Sequence, residues 1–130
     1  MLHDIEQFAQ NGFASLSAED LARLRWVGLF ARDTTPGCFM LRIRLPCDVL
    51  TIPQWMTLGQ LAERYGQSVM DITKRQGVQL RWIQIKDVPA IFSALSRVDM
   101  SPLQTGFDNV RNVMSCPMAG INLDQVLNVV

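Results

Sequence analysis

The apolar positions change period several times along the 130 residues, and each change marks a new element. Ile5, Phe8 and Ala9 recur at three-to-four spacing, which predicts a short helix from Asp4 to Gln10 ended by Asn11-Gly12. Ser17 offers an N-cap and Asp20 a first-turn carboxylate to a second helix, whose apolar face runs through Leu21, Leu24 and Val27 to Gly28. The turn Thr34-Thr35-Pro36-Gly37 closes this part. In CFMLRIRLP, Phe39, Leu41, Ile43 and Leu45 alternate with Met40, Arg42 and Arg44, the period of a strand with two unlike faces, and Pro46 ends it. Trp55, Leu58, Leu61 and Ala62 restore the helical period over Ile52 to Tyr65, with Thr51 as cap and Gly66 as stop. Two β-rich runs, Met70 to Lys74 and Val78 to Ile85, flank Arg75-Gln76-Gly77 and predict a tight hairpin. Asp87 caps a further helix through Ile91, Phe92, Leu95 and Val98, with Pro89 in its first turn. A less regular extended stretch begins near Pro102.

From Phe39 onward this order is β-α-β-β-α-β, so the expected fold is an α+β ferredoxin-like sandwich preceded by one or two N-terminal helices. The expected organisation is an N-terminal helical segment at 1–37, the ferredoxin-like unit at 38–121, and the truncated start of a following segment at 122–130. In such a sandwich the helices cover one sheet face and leave the other open. The row Phe39, Leu41, Ile43 and Leu45 then faces the helices, and Arg42 and Arg44 point to the open face. Arg81, flanked by Gln79 and Ile83, belongs to the same open row, opposite in parity to Leu80 and Trp82. Arg75 in the hairpin turn and Arg111 in the final stretch join at the rim, while Lys74 falls on the parity assigned to the helices.

An arginine on an open sheet face is more often a solvated side chain than a ligand contact. Several converging arginines repel one another, however, and such a cluster suits an anion with several carboxylate or phosphate groups, which guanidinium forks bind bidentately. Asp71 and Asp108 are the nearby acidic counterweights. The anion site must be local, because twelve basic and twelve acidic side chains cancel and leave no overall field to recruit nucleic acid or an anionic membrane. An RNA-binding sheet of this order would need stacking aromatics on its open face, where the first strand offers arginines instead. There is no GxGxxG or GxxxxGK[ST] loop, and no serine, cysteine or lysine has an identifiable base beside it.

Cys38, Cys47 and Cys116 are odd in number and lack CxxC spacing, which argues against a disulfide framework and a self-contained metal site. The single histidine, His3, lies near the chain end, away from any catalytic partner. No apolar run approaches the roughly 20 residues of a membrane span, and MLHDIEQFAQ lacks the pattern of a signal peptide, so a cytoplasmic setting is expected.

In order along the chain, RLRWVGLFARDTTPGCFMLRIRLP, LAERYG, DITKRQGVQLRWI and LQTGFDNVRNVMSCPMAGI resemble the N-terminal ferredoxin-like half-domain of the siroheme-dependent nitrite and sulfite reductases. RWVGLF and TTPG are more similar to the ferredoxin-dependent nitrite reductases. The resemblance implies that siroheme lies against the arginine face, with Arg42, Arg75, Gln76, Arg81, Arg111 and Asn112 as cofactor contacts. It implies further that Arg42, Arg81 and Arg111 face the substrate anion, nitrite or sulfite, and that Asn109 and Asn112 set the posture of Arg111. The four cysteines of the family's [4Fe-4S] cluster and its active-site lysines lie in a C-terminal half, so this chain carries no metal ligands and is expected to need that half, or a reductase chain, and ferredoxin for a six-electron reduction. Two alternatives stay open: a stand-alone module that binds a tetrapyrrole or a reductase partner, and a homodimer closed over the open sheet face.

Overall fold

A five-residue strand anchors the sheet. The computed structural model describes residues 2–45, 49–107, 109, 110, 112–121, 124 and 126. Its elements are α1 (Leu2–Asn11), α2 (Ala18–Leu24), β1 (Leu29–Ala31), β2 (Phe39–Ile43), α3 (Ile52–Tyr65), β3 (Met70–Ile72), β4 (Val78–Ile83) and α4 (Val88–Ser96). The four strands form one antiparallel sheet in the order β1-β2-β4-β3. In β2 the side chains of Phe39, Leu41 and Ile43 are fully buried in the core, as the alternation predicts, and Leu45 follows them. Against this face lie Leu58, Leu61 and Ala62 of α3 and Val88, Ile91 and Leu95 of α4. α1 packs on α4 and brings Ile5 into the same core.

The helix ends follow the expected chemistry at two of three caps. Ser17 and Asp20 form a reciprocal capping box on α2, and Thr51 and Gln54 form one on α3. The Ser17 hydroxyl and backbone N–H both donate to Asp20, and these bonds, the hydroxyl's above all, hold its carboxyl below the usual range. Asp87 stands at the start of α4 without a side-chain capping bond, because a 3-10 turn over Ile85–Asp87 already leads the backbone into the helix.

The α+β ferredoxin-like form is as expected, but its edge strand comes from elsewhere. The second helix stops at Leu24, a 3-10 turn covers Arg25–Val27, and Gly28 at φ 79° reverses the chain into β1, which pairs with β2. A three-residue strand is too short to show a period, so the sequence merges it with the helix before it. The stretch after Pro102, expected to supply the last strand, is irregular among the described residues. It crosses the sheet instead, with the Arg44 N–H donating to Ser101 and the Gln104 N–H donating to Trp26.

Two further corrections concern side-chain direction. Phe39 pairs with Ile83 and Leu41 with Leu80, so Arg81 and Trp82 together stand opposite Met40. This bulge, with Trp82 at φ 59°, moves Ile83 from the open row into the core, where it is fully buried. Arg81 keeps its expected side. β3 ends at Ile72, which leaves Lys74 exposed in the turn and not turned toward the helices.

Gly28 is a tight backbone position of this crossing. A Cβ there would lie 2.6 Å from the Arg42 carbonyl oxygen, 2.7 Å from Thr105 Oγ1 and 2.8 Å from the Pro102 carbonyl oxygen, on a left-handed backbone as well. Gly28→Ala should therefore destabilise the fold by roughly 2–3 kcal/mol. Chemical denaturation checks this; an unchanged midpoint would show that the crossing segment does not press on β1 and β2.

Candidate functional site

Every strand lends its uncovered side to the open face. Phe30 of β1 and Met40 of β2 are cross-strand partners, and Arg42 pairs with Gln79, which in turn pairs with Asp71. The Arg42 guanidinium carbon lies 4.6 Å from the centre of the Phe30 ring, a cation–π contact that shelves the side chain. Its Nη1 donates to the Thr105 carbonyl at 2.9 Å. Thr105 is fully buried, and its hydroxyl donates to the Pro102 carbonyl at 2.8 Å. Arg44 holds the same segment: its Nη2 lies 3.1 Å from the Leu103 carbonyl and 3.3 Å from those of Gln104 and Val110.

The hairpin turn between β3 and β4 meets this segment from the other side. Asn112 Nδ2 donates to the carbonyls of Arg75 at 3.0 Å and Gln76 at 2.9 Å. The Gln76 side chain makes a two-point contact, accepting the Ser115 N–H and donating to the Ser115 carbonyl, each at 2.9 Å. Between the turn and the segment lies a cleft of 230 Å³ lined by Arg42, Arg44, Lys74, Arg75, Thr73, Gln79, Thr105 and Asn112. Among the described residues, no carboxylate lines it. A second depression of 370 Å³, bordered by Asn109, Val110 and Met114, shares Arg75 and Asn112 with the first. Asn112 Oδ1 is buried and accepts no hydrogen bond, an unusual state for an amide oxygen.

The site residues expected from the sequence thus divide. Arg42, Arg75 and Asn112 come together at the cleft. Gln76 sits behind it, with both ends of its amide engaged by Ser115. Arg81 lines neither depression; its Nε is ion-paired with Asp71 across the β3–β4 ladder. Arg111 and the counterweight Asp108 lie outside the described residues, as does Cys47. Asn109 donates to the Gly106 carbonyl at 3.0 Å, so it braces its own segment. Sequence reading missed Phe30, Thr105 and Ser115. Phe30 lies on a three-residue strand too short to show its face, and the other two act through backbone groups that carry no sequence mark.

Among the described residues, no three histidine, cysteine or acidic side chains gather as a metal site. No helix among them is long and apolar enough to cross a membrane.

Fold and site together define a class: a two-layer ferredoxin-like α+β unit whose open sheet face carries a cleft lined by cationic side chains. Residues 31–98 match the family described as the nitrite/sulfite reductase ferredoxin-like half domain, and the chain belongs to that family. It is 40% identical over 127 residues to a ferredoxin–nitrite reductase of Leptolyngbya laminosa, covering 96% of this chain and 25% of that protein. Against a chloroplastic ferredoxin–nitrite reductase of Oryza sativa subsp. japonica it is 43% identical over 116 residues, covering 87% and 20%. The solved structure of the Mycobacterium tuberculosis NirA protein superposes with a TM-score of 0.87 at 32% identity, covering 97% of this chain and 26% of that one. The chain therefore spans about a quarter of the length of the curated relatives it matches.

The Arg81–Asp71 pair is about one-third exposed on each side, at 35% and 36%. Solvent screening keeps such a pair weak, so Arg81→Ala should cost at most about 1 kcal/mol of stability. Thermal or urea unfolding measures it; a loss of several kcal/mol would show that the pair holds the bulge in place.

Proposed function

We propose that this chain is the part of a siroheme-dependent nitrite or sulfite reductase that receives the carboxylate edge of the tetrapyrrole and helps hold the substrate oxyanion. The observation that carries the reading is the cleft whose described lining brings together the cationic side chains of Arg42, Arg44, Lys74 and Arg75. Cations gathered side by side raise one another's energy, and a polyanion relieves it. At 230 Å³ the cleft is below the roughly 300–1,000 Å³ of sites that enclose a whole ligand, so a tetrapyrrole lies across it with its peripheral carboxylates inside.

In this reading Lys74 and Arg75 hold carboxylates, and Arg42, fixed by Phe30 and Thr105, presents charge toward the oxyanion. By resemblance, Arg111 joins Arg42 on the substrate side. Arg81, which shares its charge with Asp71, has the smaller part. Bound siroheme would supply the iron at which the anion is reduced. The cluster cysteines, the ferredoxin contact and the rest of the electron path are assigned to the other three-quarters of the reductase, because Cys38, Cys47 and Cys116 have no cluster spacing.

A specific observation favours a second reading alongside it. Val110, Val113, Met114 and Ile121 are 77%, 58%, 58% and 71% exposed, an apolar run along the crossing segment. A reductase half or a second copy of this chain would cover it. A monomer by light scattering at high concentration would exclude the second copy.

Titrating the purified chain with siroheme and recording the visible spectrum tests the first reading. Arg42 and Arg44 also support the fold, so the informative variant is Lys74→Ala with Arg75→Ala, both exposed. The expected result is a saturable spectral shift whose midpoint rises at least about tenfold in the variant, on a scale of 1.5–3 kcal/mol for each charged hydrogen bond. Equal titration curves would sink the assignment.

A further inference from the structure

The structure assigns Gln76 a positioning role: it clamps the 112–115 segment to the hairpin turn and so preforms the cleft, and it does not touch the ligand. This rests on the polyanion reading and departs from the cofactor contact that resemblance implies for Gln76. Three observations carry it. The amide of Gln76 is engaged at both ends, with Oε1 accepting from the Ser115 N–H and Nε2 donating to the Ser115 carbonyl, each at 2.9 Å. A primary amide has further lone-pair and N–H capacity, but its orientation is fixed by this pair. Gln76 also lines neither depression, while its neighbours in the turn, Lys74 and Arg75, do.

The turn geometry fits the same role. Gln76 has φ 55°, a left-handed conformation that lifts its side chain off the ladder. Asn112 adds a parallel tie by donating to the Arg75 and Gln76 carbonyls. Two segments more than 35 residues apart are thereby held at a fixed spacing, with separations of 36, 37 and 39 residues along the chain. Neither segment has regular structure at the junction, so among the described residues these side-chain bonds set their spacing there. A wall fixed before the ligand arrives lowers the ordering cost of binding.

The test uses the full chain and uroporphyrin, a porphyrin polycarboxylate without metal. Gln76→Asn keeps an amide and a residue that accepts the left-handed conformation but is one methylene too short for the clamp. Ser115→Pro removes the donated N–H and leaves Gln76 untouched. Both should speed hydrogen exchange in the residual partner of the clamp, the Ser115 amide in Gln76→Asn and the Asn112 side-chain tie in Ser115→Pro. Both should weaken uroporphyrin binding, Gln76→Asn roughly tenfold through the loss of two neutral hydrogen bonds and Ser115→Pro roughly fivefold through the loss of one. The dependence of affinity on salt should stay as in the wild type, because no charge has changed. By contrast, Arg75→Ala should flatten that dependence. Wild-type affinity in both variants would overturn the positioning role alone. Absence of binding by the wild type would overturn the polyanion reading and the positioning role with it.

Discussion

The structure beyond α4 depends on two arginine side chains donating to backbone carbonyls. The described residues from Pro102 to Val110 form no ladder with the sheet, so their carbonyls need other donors. Arg42 and Arg44 provide them at Thr105, Leu103, Gln104 and Val110. Bonds from a charged donor are stronger than neutral ones, and here they fix an irregular strap across the open face. Thr105 and Asn112, carried on or beside that strap, then become one wall of the cleft, with the hairpin turn as the other. The arginines that form the floor of the site are therefore also what keeps its wall in place.

This double use explains why an arginine cluster can persist on a folded chain without a bound anion. Carbonyl dipoles and the Phe30 ring take part of the charge of Arg42, and Asp71 takes that of Arg81. Lys74 and Arg75 are exposed at the turn, which on the proposed reading makes them the cations an incoming carboxylate meets first. The residues resembling family contacts thus separate by physical role: support at Arg42, charge at Arg75, and spacing at Gln76.

Much of this was legible in the sequence. The alternation of Phe39 to Leu45 gave the buried row and the side of Arg42, and the Ser17 and Thr51 caps gave two helix starts. What was not legible has a common cause: it depends on backbone groups or on single-residue insertions. β1 is three residues long and hidden behind the turn at Gly28. The bulge at Arg81-Trp82 shifts parity by one residue without any glycine to mark it. The strap is held through carbonyls, so neither Thr105 nor Ser115 stands out by residue type. The family resemblance placed Arg42, Arg75 and Asn112 in one site, which the periodicity alone could not do for Asn112.

The most direct measurement follows the arginine Nε–H and backbone amide resonances of the isotope-labelled chain by NMR as siroheme is added. The account predicts saturable shifts confined to Arg42, Arg75, the turn from Thr73 to Gly77, Thr105 and Asn112, with α3 and α4 unmoved. Shifts centred on the helix face, or none at concentrations that saturate the visible spectrum, would contradict it.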